Sequence, residues 1–367
     1  MRDKPYLFEK FPGLENKIPW LKLGDFPTPV VRLERLGQTL KISGLYCKRD
    51  DLSHPEYGGN KIRKLEFLLA DARRFSRQSV LTLGAWGSNH VLATTVMAGR
   101  LGIKPLAVLI PQPAQEYARQ NLLTNYALGC ELNYAPGTLS LPLQLARVYF
   151  RHWLKGERPY LIWAGGSSPL GTLGYVEAGL EIAGQIEQGV MPEPDYIFCA
   201  VGSSGTFVGL VLGLKLAGRK TRVLGVRVFD KSMANSFIAL RLARACLKLL
   251  RKHDPSIPAL NLTATDFPVL HDYAGSRYAV FTKAGMEALR LAKDLEGLKL
   301  DGTYTGKTFS AIIRMSVRGE LQDKVVLFLN SYNSRPIDKL VKTYPDWKEL
   351  PAEFHHCFME KIPEPEE

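Results

Sequence analysis

The chain has 367 residues, 46% hydrophobic and 23% charged, which excludes a disordered chain and suits two domains better than one compact core. Its 48 Lys and Arg against 36 Asp and Glu give a net charge of +12, but the cations are spread along the chain and no RNA-binding or helix-turn-helix signature accompanies them, so no nucleic-acid partner is expected. No apolar run approaches the roughly 20 residues of a membrane-spanning helix, and the start MRDKPYLFEKFPGLENK carries charges and a proline where a signal peptide is apolar, so a cytoplasmic protein with no membrane partner is expected.

In chain order, residues 44–48 (GLYCK) predict a strand and residues 62–75 a helix, from apolar residues at helical spacing. VLTLGAW at 80–86 predicts a short buried strand, followed by a helix through VLATTVMAGRLG. LAVLI at 106–110 predicts another strand ending at Pro111; residues 114–128 predict a helix and 130–136 a strand. YIFCAV at 196–201 predicts a strand that enters a glycine-rich turn and an apolar helix, FVGLVLGLKLAG. RVLGVRVF and VVLFLN predict two later strands. Residues 235–253 predict a basic amphipathic helix, with Phe237, Leu240, Ala243, Leu247 and Leu250 on one face and Arg241, Arg244, Lys248 and Arg251 on another. The final KIPEPEE reads as a polar tail expected to fray. Strands alternating with helices imply an α/β fold with mainly parallel sheets covered on both faces.

The five cysteines, at 47, 130, 199, 246 and 357, are odd in number, scattered and without a CxxC pair. That argues against a disulfide framework and against a metal site. Cys199 lies inside IFCAV and reads as a small buried hydrophobe.

Three motifs sit where ligands of such sheets bind, past the carboxyl ends of strands. Gly202-Ser203-Ser204-Gly205-Thr206 follows a strand and opens a helix, so inward-turned backbone N–H groups and the helix dipole can hold a phosphate. It matches neither a Walker A loop nor GxGxxG, and by itself it reads equally as an ordinary turn. Gly58-Gly59-Asn60-Lys61-Ile62-Arg63-Lys64 starts a helix with three cations in its first turn. Cations are unfavourable there, so an anion nearby would explain them; a solvated basic helix start would too. Ser88-Asn89-His90, at a strand-to-helix junction, could dock a carboxylate, although taken alone a plain N-cap is the better reading.

Together these segments resemble the fold-type II pyridoxal 5′-phosphate (PLP) enzymes, specifically the 1-aminocyclopropane-1-carboxylate (ACC) deaminase and D-cysteine desulfhydrase family. The matching stretches are CKRDDL (47–52), GGNKIRKLEF (58–67), GSNH (87–90), GGSSPLGTLGYVEAGLEI (165–182), GSSGT (202–206), 277–308 including YTGK, and LFLN (327–330). The resemblance implies two domains with open twisted sheets of the tryptophan synthase β type. A large PLP-binding domain would take 1–61 and 166–367, and a small domain 62–165. It also implies a homodimer acting on a small amino acid.

Residue by residue, the resemblance makes Lys61 the lysine that joins the cofactor and moves protons, with burial and cations such as Lys64 lowering its pKa. Asn60 would meet the cofactor's ring hydroxyl. Lys64 with Gly202, Ser203, Ser204, Gly205 and Thr206 would hold the phosphate. Ser88 would lie over the substrate, with Asn89 and His90 beside its carboxylate. Tyr304 and Tyr278 would be the active-site tyrosines, and Thr305 would face the pyridine nitrogen. The ACC deaminase pattern has a glutamate at that last position. A neutral Thr305 implies a weaker electron sink and favours D-cysteine desulfhydrase-like β-elimination over cyclopropane ring opening. Trp86 and the turn Asn330-Ser331-Tyr332-Asn333-Ser334 depart from the pattern. Trp86 could narrow the pocket or pack behind it, and the altered turn leaves open a non-catalytic PLP or amino-acid binding protein.

Overall fold

The computed structural model describes residues 3–367. Its strands are β1 (Val30–Arg32), β2 (Gly44–Lys48), β3 (Ser79–Ala85), β4 (Lys104–Ile110), β5 (Glu131–Tyr134), β6 (Tyr160–Ile162), β7 (Tyr196–Val201), β8 (Arg222–Arg227), β9 (Val269–Leu270) and β10 (Val325–Leu329). The main helices are α1 (Tyr6–Lys10), α2 (Glu34–Leu40), α3 (Lys61–Arg74), α4 (Asn89–Arg100), α5 (Glu116–Ala127), α6 (Leu141–Trp153), α7 (Pro169–Glu187), α8 (Gly205–Leu216), α9 (Ser236–His253), α10 (Lys283–Glu296) and α11 (Thr305–Val317).

The strands form two sheets. One has the order β1-β2-β10-β7-β8-β9 and the other β5-β4-β3-β6. Every pairing is parallel except that of β1 with β2. The second sheet comes wholly from residues 79–162, whereas the first joins β1 and β2 to strands made after residue 195.

Successive side chains of a strand point to opposite faces, and β7 and β10 show that both faces of the first sheet are covered. Ile197, Cys199, Val201, Leu327 and Leu329 pack with residues of α7, α8 and α9. Phe198, Val326 and Phe328 pack on the other side with residues of α2, α10 and α11. This burial on both faces explains why YIFCAV and VVLFL are unbroken apolar runs. Cys199 is fully buried, as its setting implied.

The fold is therefore the expected α/β arrangement of mainly parallel sheets with helices, and no helix among the described residues is long and apolar enough to cross a membrane. Two expectations need correction. In α9, Phe237 is exposed, and Ala239 and Cys246 take the buried face with Leu240, Ala243, Leu247 and Leu250. The tail is not frayed: Glu366 pairs with Thr282 in a parallel bridge.

Candidate active site

The strand ends and helix starts that carry the three motifs build one region, and the first turn of α3 is its floor. The three cations of that turn have three different settings. Arg63 is buried in an ion-pair network that sequence reading did not anticipate. Its guanidinium donates to Asp50 at 2.8 and 2.9 Å and to Glu181 at 2.9 Å. Lys48 donates to the same Glu181 at 2.5 Å, and the Tyr175 hydroxyl donates to Asp50 at 2.6 Å. Burial alone would raise the Asp50 carboxyl, but Arg63 outweighs it and holds the group at about 2. Two cations against two carboxylates leave this buried cluster neutral, and it ties β2, α3 and α7 together.

Lys64 is also buried, but its Nζ donates only to neutral oxygens, Gly165 O at 3.0 Å and Ser167 Oγ at 3.1 Å. Lys61 has no hydrogen-bond partner for its Nζ among the described residues. Burial pulls the Lys61 amine down to about 8, against an opposing pull from Asp301. Lys64 is thus not the cause of that shift. The coupling falls on Lys64 instead, which burial first and Lys61 second hold well below the ordinary lysine value.

The glycines before Lys61 are required by close approach. A Cβ on Gly58 would lie 2.0 Å from Asp51 O, and Gly59 has φ +99° with the backbone of Tyr332 against it. The divergent 330–334 turn is what braces this loop. Ser331 O accepts Asn60 N at 3.1 Å, and Asn333 Oδ1 accepts Gly58 N at 2.8 Å. The Tyr332 ring lies beside the Lys299 ammonium.

Above Lys64 lies the turn before α8. Ser204 takes a left-handed φ of +66°, and its buried Oγ has no partner. Ser167, which sequence reading left without a role, accepts from Lys64, from Gly205 N at 3.2 Å, and shares a 2.8 Å bond with Ser203 Oγ. Asn60 Nδ2 donates to Thr206 Oγ1 at 3.0 Å. A buried cation without a carboxylate, an orphaned hydroxyl and the first amides of a helix all converge here. Unpaired buried charge is costly, and a phosphate group satisfies all three. The residues present therefore fit the phosphate of PLP, with Lys61 one turn of α3 away.

Opposite, Ser88 caps α4: its Oγ accepts His90 N at 3.2 Å and Val91 N at 3.4 Å. Asn89 Oδ1 accepts Asn121 Nδ2 at 2.8 Å. The His90 ring is buried at 3.1 Å from Thr82 Oγ1, with Nδ1 unpartnered. Burial first, then Lys61 and Lys64, keep this imidazole neutral. Trp86 packs behind the site, not into it. It is 1% exposed, lies in the core with Val91, Leu109 and Leu122, and its Nε1 donates to Gln112 O at 3.1 Å.

The third wall is the start of α11. Tyr304 and Tyr278 share a 2.6 Å hydroxyl–hydroxyl bond. Burial raises both phenols; the bond to Tyr278 pulls Tyr304 back down. Asp301 organises this helix start. Its carboxylate accepts Thr303 N at 3.0 Å, Tyr304 N at 2.9 Å, Thr305 N at 2.9 Å and the Thr305 hydroxyl at 2.6 Å. Thr305 Oγ1 in turn accepts Asp301 N at 2.8 Å. Tyr117, from α5, reaches Thr303 Oγ1 at 3.1 Å and stacks on Phe281. Neither Asp301 nor Tyr117 was singled out from sequence. An Asp just before a helix start is a capping signal that could have marked Asp301, but nothing local marks Tyr117.

The chain resembles known proteins over most of its length. The family pattern "Pyridoxal-phosphate dependent enzyme" matches residues 21–331. A D-cysteine desulfhydrase of Salmonella newport is 37% identical over 325 residues, covering 86% of this chain and 94% of that protein. A Pyrococcus furiosus protein with a provisional ACC deaminase name is 36% identical over 328 residues, covering 88% and 94%. The crystal structure of an ACC deaminase homologue superposes with a TM-score of 0.76 at 32% identity, covering 92% of this chain and 98% of that one.

Proposed function

The chain belongs to the pyridoxal-phosphate dependent enzymes, and from that premise we propose that it deaminates a small amino acid by β-elimination, as a D-cysteine desulfhydrase does. With D-cysteine and water the products are pyruvate, ammonia and hydrogen sulfide. The observation that carries the reading is the pair on α3: Lys61, an amine lowered to about 8 with nothing bonded to it, beside Lys64, a buried amine with only neutral partners that a bound phosphate would hold charged.

PLP, when bound, supplies a ring that withdraws the electron pair left as the Cα proton departs. In this proposal Lys64, Ser203, Ser204, Gly205 and Thr206, with Gly202 in the same turn, hold the phosphate, and Asn60 orients the ring. Lys61 joins the cofactor and moves the Cα proton; its lowered pKa leaves a usable fraction of neutral amine near pH 7. Ser88, with Asn89 and His90 at the start of α4, receives the substrate carboxylate. Tyr304 holds a proton at the leaving group, with Tyr278 as its partner. Thr305 offers the ring nitrogen a neutral oxygen. Its own proton is directed to Asp301, whose carboxylate is fully engaged by four donors. The negative charge therefore stays on Asp301, behind the hydroxyl, and a neutral acceptor holds a proton on the ring nitrogen less firmly than a carboxylate does, which supports elimination of a good leaving group over ring opening.

ACC ring opening is the second reading, because two of the relatives bear that name. A non-catalytic binding role is disfavoured by the 330–334 turn, which braces the Lys61 loop. A homodimer belongs to the proposal too, supported by the exposed apolar residues Leu143 and Phe150 of α6 and Leu154 just after it. So does a cytoplasmic home, supported by five free cysteines.

The test is incubation of PLP-loaded protein with D-cysteine, β-chloro-D-alanine and ACC, followed by 2-oxo-acid detection. D-cysteine and β-chloro-D-alanine are expected to give pyruvate faster than ACC gives 2-oxobutanoate. Lys61→Ala is expected to lose both turnover and the absorbance of lysine-bound cofactor. A colourless wild type, or no 2-oxo acid from any of the three, would refute the reading.

A further inference from the structure

The last residues form a fastening. Beyond residue 331, where the family pattern ends, Leu350, Phe354 and Cys357 pack into the core with Trp86 and Leu122. Arg119 secures the following stretch, donating to Cys357 O at 3.1 Å and Glu360 O at 2.6 Å. The chain then reaches the loop between β9 and α10. Glu366 N donates to Phe281 O at 2.9 Å, and Glu366 O accepts Lys283 N at 2.6 Å. The Glu366 carboxylate accepts Ser276 N at 2.9 Å and Ser276 Oγ at 2.6 Å. Glu367 pairs with Lys283.

The same loop is held from inside. Lys307, fully buried in α11, donates to Ala274 O and Val280 O, each at 2.6 Å. Between the two fastenings lies Tyr278, bonded to Tyr304. Next to it, Ala279 has φ +64°, a left-handed conformation that a residue with a Cβ adopts only when its surroundings impose it.

We propose that the C-terminal tail, through Glu366, is a strap that closes the 274–283 loop against α11 and so positions Tyr278 at Tyr304. The proposal rests on the reading that Tyr278 works at the site. Glu366 and Lys307 are positioning residues, acting through the loop. A single exposed carboxylate bond contributes little, but Glu366 makes two backbone and two side-chain bonds to one loop, and removing the tail removes all four.

Four variants are compared with the PLP-loaded full chain: one ending at Ile362, Glu366→Ala, Glu366→Gln and Tyr278→Phe. Amide exchange at Ser276 and Lys283, kcat and KM for β-chloro-D-alanine, and melting temperature are measured. Truncation is expected to speed exchange at both amides by about tenfold or more. It is expected to lower kcat by roughly five- to twentyfold with KM changed less than about twofold, the pattern of a lost transition-state contact. Glu366→Ala, which keeps the backbone bridge, is expected to fall between, and Glu366→Gln to recover part of the loss. Unchanged exchange overturns the strap. Faster exchange with unchanged kcat overturns its role in catalysis. A full kcat in Tyr278→Phe removes Tyr278 from the site and with it the catalytic half of the proposal, while the exchange rates alone decide the fastening.

Discussion

At the scale of single residues, the proposed role of Thr305 at the cofactor ring turns on its bond to Asp301. The sequence shows a neutral hydroxyl at 305. The structure adds that this hydroxyl donates its proton to Asp301, so toward a ring nitrogen it could only accept, and a neutral acceptor would hold a proton on that nitrogen less firmly than a carboxylate would. Thr305→Glu is expected to raise ACC turnover relative to D-cysteine turnover by about tenfold, or ~1.4 kcal/mol of relative barrier. It is also expected to cost about 1–2 kcal/mol of stability, because a second carboxylate meets Asp301; Asp301→Asn in the same chain should return part of it. The ratio of kcat/KM values and urea unfolding read the two effects, and an unchanged ratio would defeat the electronic argument. Lys61 and Lys64 stood out in the sequence because they share the 58–64 motif, and the two tyrosines because the resemblance spans 277–308. Tyr117 and Ser167 did not. Tyr117 meets the site only across the fold, and Ser167, though it lies in the matching 165–182 stretch, takes its role only from contacts with Lys64 and Gly205 that the sequence does not show.

At the scale of elements, the first turn of α3 shows how charge read along a sequence can mislead. Three cations there suggested one anion. Instead Arg63 belongs to the buried quartet with Lys48, Asp50 and Glu181, and only Lys64 is left to call for a phosphate. Arg63→Ala strands two buried carboxylates with Lys48 alone, so a loss of ~3–5 kcal/mol is expected in urea unfolding. Arg63→Lys should restore little of it, because one ammonium cannot span both carboxylates as the guanidinium fork does. Substitution without loss would show that the quartet does not anchor the helix. Long apolar runs such as 80–86 and 196–201 were readable as strands because both faces are buried. β1, β6 and β9 have three, three and two residues, too few to show any period.

At the scale of the whole molecule, the N-terminal arm is clasped by two buried glutamates. Glu177 accepts Tyr6 N at 2.9 Å and Leu7 N at 2.7 Å, and Glu66 accepts Leu23 N at 2.9 Å, Gly24 N at 3.1 Å and the Trp20 indole at 3.1 Å. Burial raises both carboxyls from 4.5 to about 7. The folded chain therefore keeps protons that the unfolded chain releases. This stabilisation is complete below about pH 4.5 and is lost as pH rises through about 7, on the order of 3 kcal/mol for each group. Glu177→Gln is expected to flatten the fall in melting temperature between about pH 5 and about pH 8; an equally steep fall would exclude Glu177 as a source. The arm, like the tail, was invisible to motif reading, since both act by reaching back onto distant elements. The first sheet does so most of all. Gly44 of β2 pairs with Val325 of β10, so on the ribosome β2 emerges long before its central neighbour exists. At about 5–20 residues per second, the nascent chain waits some ~10–60 s for that partner. Throughout that interval the β2 edge that β10 will cover stays open, the kind of unpaired strand edge that can take a wrong partner.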